Sequence, residues 1–228
     1  DNGYWNSNGT TWFNNLIGDA YEFLIDPEDH LIQYGLSCGA PGFERYIKKT
    51  TNGGSSFNNK FIPGTELGLT TRPIVMHPFN NQTLYLGLNS IWRSTGSGET
   101  GTWTKFADFK NNYGVPEGWT LNVIKVSEKN PNYMYASYSG ITYNSQDFSK
   151  KIWKTTNGGV TWQDISLPYN SWYAVADMAI DPNNPDNIWI TYGGFGSDNR
   201  VVKFDGTTYT PYSRSEEHTS ELQSRQSI

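Results

Sequence analysis

The chain has 228 residues, of which 15% are aromatic and only 17% charged, with 23 glycines and a formal net charge of -5. That length holds one large or two small domains with a substantial core, and the aromatic, glycine-rich balance favours short strands and turns over helices. An acidic pI of about 5.2 without any basic run argues against a nucleic-acid surface, strand-sized apolar runs argue against membrane insertion, and a single cysteine, Cys38, allows neither an intramolecular disulfide nor a thiolate metal cluster.

In chain order, a leading fragment at 2–13 precedes four units of similar plan. First strands are expected at 21–25, 73–77, 121–126 and 175–180, and second strands at 31–36, 83–88, 133–138 and 187–192. Each first strand ends in comparable punctuation: Pro27, Pro78, Glu128 and Pro182 stand in register. Third strands run into a glycine-containing turn, and fourth strands carry the aromatic that closes it. Those aromatics, Trp12, Phe57, Trp103, Trp162 and Tyr209, recur at separations of 45, 46, 59 and 47 positions. Four strands per unit of about 50 residues predicts an all-β fold, a β-propeller of four-stranded antiparallel blades. The repeats fall near 1–13, 14–59, 60–108, 109–166 and 167–212, and about four blades imply an incomplete ring.

Two turns are almost identical. Thr50, Asn52, Gly54 and Phe57 match Thr155, Asn157, Gly159 and Trp162, with Ser56 opposite Thr161. An asparagine at this place can accept from backbone amides further along the turn, and the paired glycines can take positive φ. The closing aromatic then buries a large face between neighbouring blades. Copies at 5–12, 94–103 and 202–209 are degenerate.

Thr155, Asn157, Gly159, Thr161 and Trp162 resemble the Asp-box, or BNR, repeat, Ser/Thr-x-Asp/Asn-x-Gly-x-Thr-Trp. The resemblance covers residues 1 to about 212 and implies kinship with large secreted bacterial propeller proteins and, more distantly, with sortilin-type and xyloglucanase-type propellers. Residues 213–228 resemble the translation of a sequencing adaptor and read as a non-native tail. The start at Asp1 reads as processed or truncated.

Chemistry is expected on the face away from the box, where long loops outgrow the repeat. Tyr113, Trp119, Tyr143, Tyr169, Trp172 and Tyr173 form a candidate glycan platform, since a sugar ring stacks on aromatics while neighbouring acids accept from its hydroxyls; the competing reading is that such aromatics cap the blade core. Candidate catalytic carboxylates are Glu22 and Asp177, at equivalent places on first strands, and Glu66, Glu117 and Asp147 on loops. A glycosidase needs two of them about 5–5.5 Å or 6.5–9.5 Å apart. A sialidase needs an arginine cluster, and Arg45, Arg72, Arg93 and Arg200, without an Arg-Ile-Pro motif, do not supply one. No metal site and no cofactor are expected, because Asp26, Asp29 and the 181–187 loop read as turns and lack regular ligand spacing. The leading expectation is a noncatalytic extracellular or surface module binding a polysaccharide or protein through its loop face and packing against the remaining blades of a longer protein. The alternative is a fragment of a xyloglucanase-like glycoside hydrolase, and an intracellular assembly scaffold comes third.

Overall fold

The structure, a computed structural model, describes residues 4–7, 10–16, 19–38, 46–61, 73–116, 119–139, 151–167, 174–193 and 201–212. A two-stranded hairpin, β1 (Tyr4–Ser7) with β2 (Trp12–Leu16), precedes four antiparallel four-stranded sheets. Blade 1 is β3 (Asp19–Ile25), β4 (Gln33–Cys38), β5 (Tyr46–Thr50) and β6 (Asn58–Phe61). Blade 2 is β7 (Ile74–His77), β8 (Asn80–Gly87), β9 (Ile91–Ser94) and β10 (Trp103–Ala107). Blade 3 is β11 (Thr120–Val126), β12 (Met134–Ser139), β13 (Ile152–Thr155) and β14 (Gln163–Asp164), and blade 4 is β15 (Val175–Ile180), β16 (Ile188–Tyr192), β17 (Val201–Phe204) and β18 (Tyr209–Tyr212). In every blade the strands pair in chain order, so this is an all-β propeller arc of meandering blades.

The turns between first and second strands are built alike from different residues. Asp26 accepts from the Glu28 and Asp29 amides, Asp181 from those of Asn183 and Asn184, Ser127 from Asn130, and His77 Nδ1 from Phe79. A short polar side chain bonded to backbone two or three residues on is the local alternative to continuing a strand. The Asp26 and Asp181 carboxylates are therefore taken up by turn amides.

At the far end of each third strand the twin turns close as their sequences predict. Thr155 Oγ1 accepts from Gly159 N at 3.0 Å, and Asn157 Oδ1 accepts from Thr161 N at 3.0 Å. Thr50 and Asn52 make the same bonds to Gly54 N and Ser56 N, at 3.1 and 3.0 Å. In blade 2 Ser94 Oγ replaces the threonine, accepting from Gly98 N at 3.0 Å, and Ser97 takes the left-handed φ of 53° that glycine holds elsewhere. Gly53, Ser97 and Gly158 also donate to Leu31, Gln82 and Asn132 carbonyls, so both turns of a blade lie at one end of the propeller.

Three hydrophobic cores lie between consecutive blades. Tyr34, Ile47, Leu84, Leu86 and Trp103 join blades 1 and 2. Tyr85, Ile91, Leu121, Ile124, Trp153 and Trp162 join blades 2 and 3, and Val123, Tyr135, Met178, Ile190 and Phe204 join blades 3 and 4. A blade buries one face only against its neighbour, which is why the repeat is also the unit of stability.

Two elements differ from expectation. The stretch after β10 contains a short helix, α1 (Phe109–Tyr113), where the long insertion predicts only loop. Asp108 caps it by accepting from Asn111 N, and Gly114 ends it at φ 71°. Phe109 is fully buried, so part of the inserted length packs the core. The fourth strand of blade 3 is only Gln163–Asp164 and, like β6 after Phe57, begins one residue past the closing aromatic, whose amide here donates to Tyr113 Oη at 2.9 Å.

An ion cluster crosses from blade 1 to blade 2: Glu99 accepts from Lys49 at 2.8 Å and pairs with Lys60 at 2.6 Å. Partial burial pushes the Glu99 carboxyl up, but hydrogen bonds and charge from the two lysines outweigh it and hold it below the ordinary 4.5. A carboxylate depressed in the folded state stabilises at pH above its unfolded value and stops doing so as pH falls through the folded one. Wild-type stability in urea is therefore expected to fall more steeply than that of Glu99→Gln as pH drops below about 4.5; parallel pH profiles would reject the role.

Candidate functional site

The first strands β3, β7, β11 and β15 are neighbours around the inside of the arc. In blades 1, 3 and 4 the register slips by one residue near the start of the first strand, between Ala20 and Glu22, Leu121 and Val123, and Val175 and Asp177. A bulge of this kind re-aims the side chains that follow it. Glu22 and Asp177 come directly after theirs, in equivalent positions, and both are exposed.

Between them stands Lys125 of β11. Its ammonium pairs with Asp177 Oδ1 at 2.8 Å and acts by charge on Glu22. Although its side chain reaches solvent, the partial enclosure of Glu22 by the converging strands raises its pKa, Lys125 lowers it, and Asp177 raises it further, with a net upward shift. The carboxylates of blades 1 and 4 thus sense one another across a lysine of blade 3. Lys125 escapes sequence reasoning because its neighbours come from other blades. The available signal is that Leu24, Val75 and Ala179 occupy the corresponding first-strand position in the other blades.

A cleft of about 410 Å³ adjoins this cluster, lined by Glu22, Glu28, His77, Asn81, Lys125 and Glu128 among apolar residues of β3 and β7. Asn81 Nδ2 donates to Glu28 Oε2 at 3.2 Å across blades 1 and 2. Burial pushes the His77 imidazole below its ordinary value. The cleft lies toward the end that carries the twin turns, whereas chemistry was expected at the opposite end. Its lining is suited to accepting hydrogen bonds from hydroxyls above an apolar floor.

The aromatic candidates divide. Tyr113 is half-buried, its ring centroid 4.7 Å from that of Trp153 and 5.6 Å from that of Phe109. Trp119 is buried in the same core, and its carbonyl accepts from Asn89 Nδ2 at 2.7 Å. These two rings pack the core between blades 2 and 3, which is the capping arrangement, and neither presents an open platform. Tyr143, Tyr169, Trp172, Tyr173, Glu66, Glu117 and Asp147 lie outside the described residues.

No family model matches the chain. It is 29% identical over 153 residues to the xyloglucanase Xgh74A of Acetivibrio thermocellus, an alignment covering 58% of this chain and 16% of that protein. Among solved structures it resembles an ancestral GH74 enzyme, with a TM-score of 0.61 and 17% identity over 88% of this chain and 25% of the other. The GH74 enzyme of Niastella koreensis gives 0.61 and 20% over 86% and 30%. YCF48 from Cyanidioschyzon merolae gives 0.52 and 13% over 86% and 56%. The shared feature is the propeller fold. The chain spans only about a sixth of its curated relative and less than a third of either GH74 structure.

Proposed function

We propose that this chain is a segment of an exported, xyloglucanase-like propeller protein, and that the cleft beside Glu22, Lys125 and Asp177 holds a β-glucan-type polysaccharide. The observation that carries the proposal is the convergence of two equivalent first-strand carboxylates on one lysine beside a half-apolar cleft. Glu22 and Asp177 accept from sugar hydroxyls, Lys125 donates, and the apolar wall takes the face of a pyranose ring. The loop aromatics Tyr143, Tyr169, Trp172 and Tyr173 extend the contact surface. The twin turns are Asp-box repeats whose work is to set blade register. The alignment to a xyloglucanase supports the ligand class.

Binding without hydrolysis is the leading form of this proposal. Hydrolysis is favoured by one observation: the two carboxyls have different environments, Glu22 pushed up and Asp177 tied to a cation, which is how an acid and its partner are distinguished. Calorimetric titration with xyloglucan oligosaccharides is expected to show binding that weakens about tenfold or more in Glu22→Gln and Asp177→Asn, as expected when a hydrogen bond to a charged group is lost. Release of new reducing ends, abolished by Glu22→Gln, would establish the hydrolytic form. Neither heat nor hydrolysis at millimolar oligosaccharide would contradict both.

A further inference from the structure

The turn between first and second strands is closed at one equivalent position in every blade, by Asp26, His77, Ser127 and Asp181. Aspartate and serine are short side chains suited to bonding the backbone two or three residues on. Histidine makes the same bond and keeps a second nitrogen on the far side of its ring. The turn fixes the chemistry of that second atom. Phe79 N donates to His77 Nδ1 at 3.1 Å, so Nδ1 carries a lone pair and the proton of the neutral imidazole sits on Nε2. Burial lowers the His77 pKa from the ordinary 6.5, which keeps the ring neutral at pH 7. Phe79 and Tyr85 flank the imidazole, at 6.3 and 6.4 Å between ring centroids.

His77 lines the cleft beside the first strands, and among the described residues no acceptor bonds its Nε2. The rest of the polar lining is of the opposite kind. Glu22, Glu28 and Glu128 accept, and the remaining donors are each bonded to a carboxylate already, Lys125 to Asp177 and Asn81 to Glu28. A polysaccharide presents two kinds of oxygen to such a wall. Its hydroxyls donate to carboxylates, whereas its ring and glycosidic oxygens carry no hydrogen and can only accept. An uncharged donor among the acids serves those oxygens and fixes how the chain lies.

We infer that His77 is a specificity-determining residue of the cleft, donating through Nε2–H to an acceptor oxygen of the bound glycan while its Nδ1 holds the turn of blade 2. The inference rests on the glycan reading proposed above and adds to it the uncharged donor that orients the chain. One imidazole thus ties a backbone turn to the ligand, because the amide that fixes the tautomer also fixes which nitrogen offers a proton to the sugar. Asp26 and Asp181 close their turns with carboxylates, which have no N–H to offer.

His77→Asn separates the two roles, since an asparagine Oδ1 accepts from Phe79 N as Asp26 Oδ1 accepts from Glu28 N at 2.9 Å, while the Nε2 donor is lost. Hydrogen exchange at the Phe79 amide is expected to be unchanged in the variant. Xyloglucan oligosaccharide is expected to bind it about three- to tenfold more weakly, the range for one neutral hydrogen bond. Long-range proton–nitrogen correlation spectra of the histidine-labelled wild-type chain supply a second readout that needs no variant and that a purely structural role would not move. They should show a bare Nδ1 and a protonated Nε2 at His77 in the free protein, and an Nε2 resonance that shifts as oligosaccharide is added. A protonated Nδ1, an Nε2 resonance unmoved at saturating oligosaccharide, or equal affinity in the two proteins would overturn the role of His77 and leave the glycan reading standing. A wild-type chain that binds no oligosaccharide would overturn the glycan reading and this role with it.

Discussion

Replacing Trp162 by alanine is expected to cost about 3–5 kcal/mol of unfolding free energy, the range for deleting a large buried aromatic. Trp162 is 7% exposed and meets Phe109 at 5.2 Å between centroids, in a core that also holds Tyr85 of blade 2 and Leu121 of blade 3. The ring packs against Phe109 of α1 in a core shared by two blades, so its removal leaves a cavity there. Denaturant unfolding followed by far-ultraviolet circular dichroism gives the value. A loss within experimental error would show that the turn holds without its aromatic, and the staple role would be wrong.

The second large effect is expected at Gly159. This residue sits at φ +86°, and a Cβ built there falls 2.2 Å from Phe106 Cζ of the preceding blade. Alanine there combines a left-handed backbone cost of about 1–2 kcal/mol with overpacking of about 1–3 kcal/mol. Gly101 supplies the control, since it has the same φ of +86° and nothing within 4 Å of its Cβ position. Gly101→Ala should lose only the backbone cost of about 1–2 kcal/mol. The difference between the two variants isolates the contact between blades 2 and 3. Equal losses would mean that Phe106 swings away freely and that the turn does not hold blade register.

The elements legible in the sequence are those set by local bonding. Thr155, Asn157 and Gly159 make their turn from bonds spanning two to four residues, so their spacing alone predicts it. The first and second strands follow from alternation and from punctuation such as Pro27 and Pro182, and they appear within about two residues of expectation in most blades. The equivalence of Glu22 and Asp177 was readable for the same reason. What joins them was not: Lys125 is far from both in sequence, and only the curvature of the arc brings three first strands to one place. Tyr113 and Trp119 show the converse. The sequence leaves open whether these rings form a platform or cap the blade core, and they take the second place because α1 folds the insertion back onto the core, a helix of five residues with too little periodicity to announce itself. Lys49, Arg93 and Lys154 align visibly beside the turns, but the aromatics opposite them lie on another strand, so those cross-strand pairs emerge only from the register.

The central claim, that glycan lies in the cleft where the first strands converge, is tested most directly by hydrogen exchange with and without xyloglucan oligosaccharide. Slowed exchange is predicted in segments 22–28, 74–81 and 125–128, which line the cleft, and that slowing should be lost in Glu22→Gln. Unchanged exchange in all three segments at saturating oligosaccharide, or slowing confined to the outer strands β6, β10, β14 and β18, would contradict it.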